Sequence, residues 1–376
     1  MLQLKSKMRQ VSSENHRKIA IKTNLDKFRW PLIWEQSVPM KKTKKILETD
    51  LLEHPAVKAW GGVQPNCVEP DQIEILKQKE KSSVYRLAGV GPNNSAVIAK
   101  RCKYEKAMIE RAIYEEVLPF LSVPTPKYYG FIEEQDGIFW WLFLEDVGDQ
   151  RFSPLIANHR SLAAQWMGEM NTAIDTSNLN SNLPNQGPEY YQLYLRSARE
   201  MLPNIRIFYS LEAIHQELLN DIIYMCEFLE EHWNQIEKFC NQMPRTLVHG
   251  DCQVKNAHIR SSQTGLTFAP FDWANAGWGL PATDLGQLSL PYKNLPPTVP
   301  DCETYLSLVR NEWPDFDLET VQQLANLGQI FWSLKVISLS VPEFDDKRTY
   351  LEGLLYNFSV YASVLATAIQ AATWAN

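Results

Sequence analysis

Residues 249–256 read His249-Gly250-Asp251-Cys252-Gln253-Val254-Lys255-Asn256, and Asp272-Trp273 follows shortly after. The apolar triplet Thr246-Leu247-Val248 leads into this stretch. Ala257–Arg260 leaves it as a short strand, a turn lies at Gly265, and Leu266–Phe271 reads as the return strand. Such a hairpin brings Asp272 back near the loop that carries Asp251 and Asn256. The order of residues alone therefore gathers one acid, one amide and a second acid around one small volume.

That set suits phosphoryl transfer. A nucleotide carries several negative charges, so magnesium ions must bridge its phosphates. Magnesium prefers oxygen ligands and accepts one or two carboxylates plus phosphate and water. Asp272 and Asn256 suit the metal. A separate carboxylate must orient the acceptor hydroxyl and take its proton, and Asp251 suits that role.

The run His249–Asn256, followed by Phe271-Asp272-Trp273-Ala274-Asn275-Ala276-Gly277-Trp278-Gly279-Leu280-Pro281-Ala282-Thr283-Asp284-Leu285-Gly286, resembles the aminoglycoside phosphotransferase and choline kinase-like families, relatives of the protein kinases. Asp251, Asn256, Asp272 and Asp284 fall on the defining positions of that family pattern. Three neighbours depart from it: Gly286 replaces the usual Ala, Gln253 stands where many members have His or Trp, and Ala274 stands where many have an acid. The resemblance implies that His249 shapes the loop and Asp284 anchors it through hydrogen bonds. His258, in the exit strand, reads as structural.

The amino-terminal part supplies the other half of such a site. Ile73–Leu76, Val84–Leu87 and Ala96–Lys100 read as strands, Tyr104–Leu118 as a helix, and Tyr128–Ile132 with Ile138–Leu144 as a hairpin. Ala96–Lys100 resembles the third-strand lysine motif of the kinase fold, in which Lys100 would bind the nucleotide phosphates. Glu110 is the expected anchor of Lys100, with Glu105, Glu115 and Glu116 as competitors. Residues 77–83 contain no glycine, unlike the phosphate-covering loop of protein kinases; Ser82 or Ser83 would donate to the phosphates instead. Leu144-Glu145-Asp146-Val147 resembles the linker between lobes, where backbone groups of Glu145 and Val147 would meet the base and Phe143 and Leu144 would line its slot.

Composition bounds the rest. Hydrophobic residues make up 45% of the 376, with twelve Trp, fifteen Tyr and fifteen Phe, enough for a real core. A net charge of -7 argues against nonspecific nucleic-acid binding. Cysteines at 67, 102, 226, 240, 252 and 302 form no CxxC pair and read as buried thiols in a reducing, cytoplasmic setting. No run is long enough to span a bilayer. Ser161–Ile174, Leu211–Phe239, Leu318–Leu339 and Thr349–Ala372 read as helices, with residues 180–195 and Pro291–Pro300 as candidate walls of the acceptor site. The expected organisation is a basic extension over 1–65, partly ordered through Phe28–Pro31 and Trp34, an N-lobe over 66–144 and a C-lobe over 145–376. The fold class is α+β: a protein-kinase-like two-lobed fold, with a small antiparallel sheet and one helix in the first lobe and a larger helical second lobe.

The resulting expectation is an ATP- and Mg2+-dependent kinase of a small-molecule hydroxyl, such as that of an antibiotic or other natural product, an amino alcohol or a sugar. No nucleic acid or membrane partner is expected, and the sequence sets no oligomeric state. The ten acidic and five basic residues after Asp284 hint at a cationic acceptor. A catalytically silent nucleotide-binding module is the alternative, favoured by the glycine-free loop and opposed by the joint presence of Lys100, Asp251, Asn256 and Asp272. A protein-directed kinase fits less well, because only Trp273–Pro281 separates Asp272 from the Asp284 helix.

Overall fold

Strand Phe139–Glu145 organises the first lobe, because its alternation buries both of its faces. Trp141 and Phe143 point to one side, against Trp60, Val57 and Ala56 of the helix Pro55–Val63. Trp140 and Leu142 point to the other side, with Ala107 of the helix Tyr104–Ala112. A strand with a helix on each face reads as a continuous apolar run, as this one does.

The computed structural model describes residues 45–65, 68–173, 183–262, 265–340 and 348–374. The readings made for Phe28–Pro31, Trp34 and Cys67 lie outside the described residues. In chain order the elements are β1 (Lys45–Leu47), α1 (Pro55–Val63), β2 (Ile73–Lys79), β3 (Ser82–Leu87), β4 (Val97–Lys103), α2 (Tyr104–Ala112), β5 (Tyr128–Glu133) and β6 (Phe139–Glu145). They are followed by α3 (Ala157–Ala173), α4 (Pro188–Phe208), α5 (Ala213–Glu231), α6 (Trp233–Cys240), β7 (Thr246–Val248), β8 (Ala257–Ser262), β9 (Gly265–Pro270), β10 (Gly277–Gly279), α7 (Thr283–Leu288), α8 (Cys302–Val309), α9 (Leu318–Ser340) and α10 (Arg348–Gln370). The first lobe is a six-stranded antiparallel sheet in the order β1-β2-β3-β4-β6-β5. The second is helical and carries two short two-stranded ladders, β10-β7 and β8-β9.

Three sequence readings change. Residues 45–63, read as extension, belong to the sheet layer: β1 pairs with β2, and α1 covers the Trp141 face. The single helix expected over 211–239 breaks at His232, whose backbone leaves helical geometry (φ -104°, ψ 8°). Both its amide and its Nδ1 turn to the Phe228 carbonyl. The apolar period runs through the break because Leu229, Trp233 and Ile236 are all buried in the same core. Finally, the helix read over Tyr104–Leu118 keeps α geometry only to Ala112, and Ile113–Val117 widen into a π turn.

The core of the second lobe is built on α9, which buries Leu324, Leu327, Ile330, Phe331, Leu334 and Ile337. Phe331 stacks on Tyr191 of α4 with ring centroids 4.2 Å apart. No described helix is long and apolar enough to cross a membrane. The five described cysteines are all free and buried.

Helices α7 and α9 meet backbone to backbone. A Cβ at Gly286 would overlap the Ala325 carbonyl, and one at Gly328 would overlap the Thr283 carbonyl. This close approach accounts for Gly286 where the family pattern has Ala. Gly286→Ala should therefore destabilise the protein by about 1–3 kcal/mol through overpacking. Urea unfolding measures this, and an unchanged midpoint would show that the two helices are not packed this closely.

Candidate active site

Strand β7 ends at Val248 and the chain turns sharply through Gly250, whose φ is 69°. A side chain there would be strained and would overlap the Asn275 carbonyl. The turn is held from the α7 side. Asp284, wholly buried, accepts from the amides of His249 (2.7 Å) and Gly250 (3.2 Å). Gln287, one turn on, accepts from the Cys252 amide at 2.8 Å. Burial pushes the Asp284 carboxyl up, while His249 and the two amides hold it down. His249 packs its ring on Trp273 and meets the Phe271 carbonyl through Nε2 at 3.0 Å, tying the loop to the end of β9. His258 meets the Gly148 carbonyl through Nδ1.

The loop holds Asp251 buried. Its Oδ2 takes the Lys255 ammonium at 3.0 Å, and its Oδ1 has no hydrogen-bond partner. The Asn256 Nδ2 donates to the Asp251 carbonyl at 2.9 Å, which leaves its Oδ1 as the atom able to meet a cation. Past the β8-β9 hairpin, Asp272 sits in the left-handed region at φ 68°. Its Oδ1 accepts from Lys100 at 2.5 Å, and the same ammonium donates to Glu110 at 2.6 Å. Burial works against the charge on Lys100, but Asp272 and Glu110 raise its pKa well above the ordinary value. Burial likewise works against ionised Asp272, yet the Lys100 charge and hydrogen bond hold its pKa down at about 2. Of the four acids weighed as partner for Lys100, Glu110 is the one in contact. Glu115 instead takes Arg111 and Tyr128, and Glu105 and Glu116 are exposed.

Strand register sorts the remaining residues. Val84 lies opposite Lys100, so Val84 and Ser82 share its face, whereas Ser83 and Tyr85 lie on the other. Ser82 can thus offer its hydroxyl to the cleft, and Ser83 only its backbone. The loop read over 77–83 is mostly strand: β2 and β3 pair through Lys79 and Ser82, leaving Glu80-Lys81 as the turn. Phe143 faces away from Lys100, since its packing is with Trp60 and Trp141 under α1. It cannot line a slot for the base; Ile98 and Leu144, paired on the cleft face, can. In the linker, the Glu145 amide is committed to the Lys127 carbonyl and its carboxylate to Arg260. Among the described residues, the Val147 backbone groups have no partner.

Three lysines escaped the sequence reading. Lys77 lies opposite Val84, hence on the cleft face; burial lowers its pKa, and Asp272 and Lys100 both act on it. Lys106 of α2 reaches across to the Ala274 carbonyl (3.0 Å) and Asn275 Oδ1 (2.8 Å). Lys335 of α9 lies buried beside the Asp251 loop and donates to the Gly250 carbonyl at 3.4 Å. Lys77 was legible in principle by counting two-residue steps from Ser82 across the hairpin. Nothing local in the sequence marks the other two.

A model of the phosphotransferase enzyme family matches residues 80–302. Among solved structures, the GDP complex of wild-type aminoglycoside 2'-phosphotransferase-IIIa is 15% identical with a TM-score of 0.57, covering 83% of this chain and 98% of that one. Spectinomycin phosphotransferase in complex with ADP and spectinomycin is 9% identical with a TM-score of 0.53, covering 81% and 94%. A comparison with curated protein sequences gives no match. Likeness at such low identity speaks for the fold, and the family match spans more than half of the sequence. The chain belongs to the phosphotransferase enzyme family and has its protein-kinase-like, two-lobed fold.

Proposed function

We propose that the chain transfers the γ-phosphoryl group of ATP to a hydroxyl of a small molecule. The observation that carries this reading is the buried, unpartnered Oδ1 of Asp251, taken together with an Asp272 that Lys100 holds ionised. A buried carboxylate oxygen without a donor is costly unless a ligand supplies one. An acceptor hydroxyl is such a donor, and Asp251 would orient it and receive its proton. Lys255, on the other oxygen of Asp251, keeps that carboxylate aimed.

The nucleotide side follows from the sheet. Lys100, held extended by Glu110, would bind the phosphates, with Lys77 and the Ser82 hydroxyl contributing from β2 and β3. Val147 would meet the edge of the base through its backbone, with the lobes dividing at Glu145. Asp272 and the Oδ1 of Asn256 suit magnesium, which takes few protein oxygens when phosphates and water complete its shell. When bound, that ion offsets phosphate charge.

The glycine-free hairpin favours a second reading, a silent nucleotide-binding module. Lys77 weakens it, since a cation on the cleft face can serve where backbone amides approach less closely.

Asp251→Ala should lower kcat by about 10²–10⁴, the range for loss of a general base, and leave Mg·ATP affinity within a few-fold of wild type. ADP release with a panel of hydroxylated compounds, set beside calorimetric Mg·ATP titration, tests both halves. Activity near wild type would remove Asp251 from this role. Binding of Mg·ATP without transfer to any acceptor by the wild-type protein would favour the silent module.

Lys100→Ala should impair nucleotide binding and transfer together, and Glu110→Gln should do so more mildly. Their double-mutant cycle should show a coupling of about 0.5–3 kcal/mol, as expected for residues in contact. Strict additivity would mean that the pair does not act as a unit.

A further inference from the structure

Lys335 is an unusual group to find beside the catalytic loop. It sits on α9 in the middle of the second lobe's core, and its side chain is almost wholly buried. Its one hydrogen bond is the long one to the Gly250 carbonyl, next to Asp251 in the chain. No carboxylate lies within 4.0 Å of its ammonium among the described residues. Its other neighbours are aromatic, with the Trp332 ring centroid 5.3 Å away and that of Tyr190 5.8 Å away. The buried indole Nε1 of Trp332 also lacks a partner among the described residues.

Asp251 and Asp284 act on this charge from a distance, and among the described residues neither forms a contact pair with it. Lys106 is held by a carbonyl and an amide oxygen, both uncharged. Asp251 acts on both Lys106 and Lys335, but its own close ion pair is with Lys255. Lys106, Lys255 and Lys335 all lie near Asp251, with Asp272 also attracting Lys106 and Asp284 also attracting Lys335. A buried charge without a partner is expensive, and replacing it with an apolar residue would ordinarily stabilise the fold. Burial already lowers the Lys335 pKa to about 8, with Asp251 and Asp284 opposing.

We infer that the acceptor is anionic, a hydroxylated compound whose carboxylate, phosphate or sulfate is met by Lys335 while its hydroxyl is met by Asp251. This deepens the kinase reading above and rests on it. Lys335 would read the charge, Tyr190 and Trp332 would supply apolar faces on either side, and Lys106 would add long-range attraction. The position is opposite in sign to the hint from the acidic C-terminal composition. That composition counts residues spread along the whole segment, whereas among the described residues of that segment Lys335 is the one charge bonded to the loop.

The test uses two sets of acceptors of matched size, each an acid, a neutral compound and an amine: glucuronate, glucose and glucosamine, and glycerate, glycerol and serinol. Each is offered to the full-length protein with Mg·ATP, reading ADP release, and to Mg·ADP-loaded protein at millimolar concentration, reading binding by calorimetry. In at least one set the acid should be preferred over its neutral and cationic partners. Lys335→Met should raise the KM, or the Kd, of that acid by about 10- to 100-fold, the weight of a hydrogen bond to a charged group, with kcat changing less. Preference among the three members should then largely vanish. Lys335→Arg should keep part of the preference, which a merely structural role for Lys335 would not require. Mg·ADP titration of each variant shows that it is folded.

Preference for the amines, equal treatment of all three classes, or no response to any of the acids would overturn the inference. So would a Lys335→Met variant that loses acid and neutral acceptors equally. Failure of the wild-type protein to bind Mg·ADP would instead overturn the kinase reading on which it rests.

Discussion

The ammonium of Lys100 is shared by two carboxylates, one from each lobe. Glu110 comes from the helix packed on its own sheet, and Asp272 comes from the second lobe, 172 residues further along the chain. In a buried setting, removing one member strands the others, at a cost of about 3–5 kcal/mol, whereas the intact set adds little net stability. The triad's value is therefore positional. It sets where the sheet lies over the helical lobe and which carboxylate faces the cleft, and it keeps Asp272 ionised.

The other side of the cleft depends on a backbone constraint. The turn at Gly250 leaves two amides pointing into protein, and Asp284 satisfies both. Asp284 can do so only because α7 lies close against α9, through two glycines that let carbonyls and α-carbons approach. The same approach carries Lys335 to the Gly250 carbonyl. The Asp251 loop, its anchor and the buried lysine thus form one packing unit, and a change in any of them is felt by Asp251.

Net charge proved a poor guide to local charge. The chain carries -7 overall, yet Lys77, Lys100, Lys106, Lys255 and Lys335 all act on or near the two aspartates of the cleft. Composition averages over a surface that solvent screens, while a cleft is governed by the few groups that desolvation leaves strong.

The sequence by itself determined the elements whose signals are local. The spacing of Asp251, Asn256 and Asp272 on a loop and its hairpin, the strand that carries Lys100, and the helix that carries Glu110 all follow from turn chemistry and periodicity over short windows. Tertiary structure decided what depends on register and on contacts between distant segments. Phe143 faces away from the cleft, and Ser83 from the face of Lys100, because pairing between strands sets the phase of a two-residue alternation. Helix α5 ends at Glu231, where the His232 backbone leaves helical geometry, a break that the unbroken apolar period conceals. Gly286 reads as a departure from the family pattern until Ala325 is seen behind it. Lys335 reads as one cation in a mostly apolar helix, and only the packing of α9 against the Gly250 turn carries it next to Asp251. Burial and electrostatics belong to the assembled three-dimensional neighbourhood, and no window along the chain contains them.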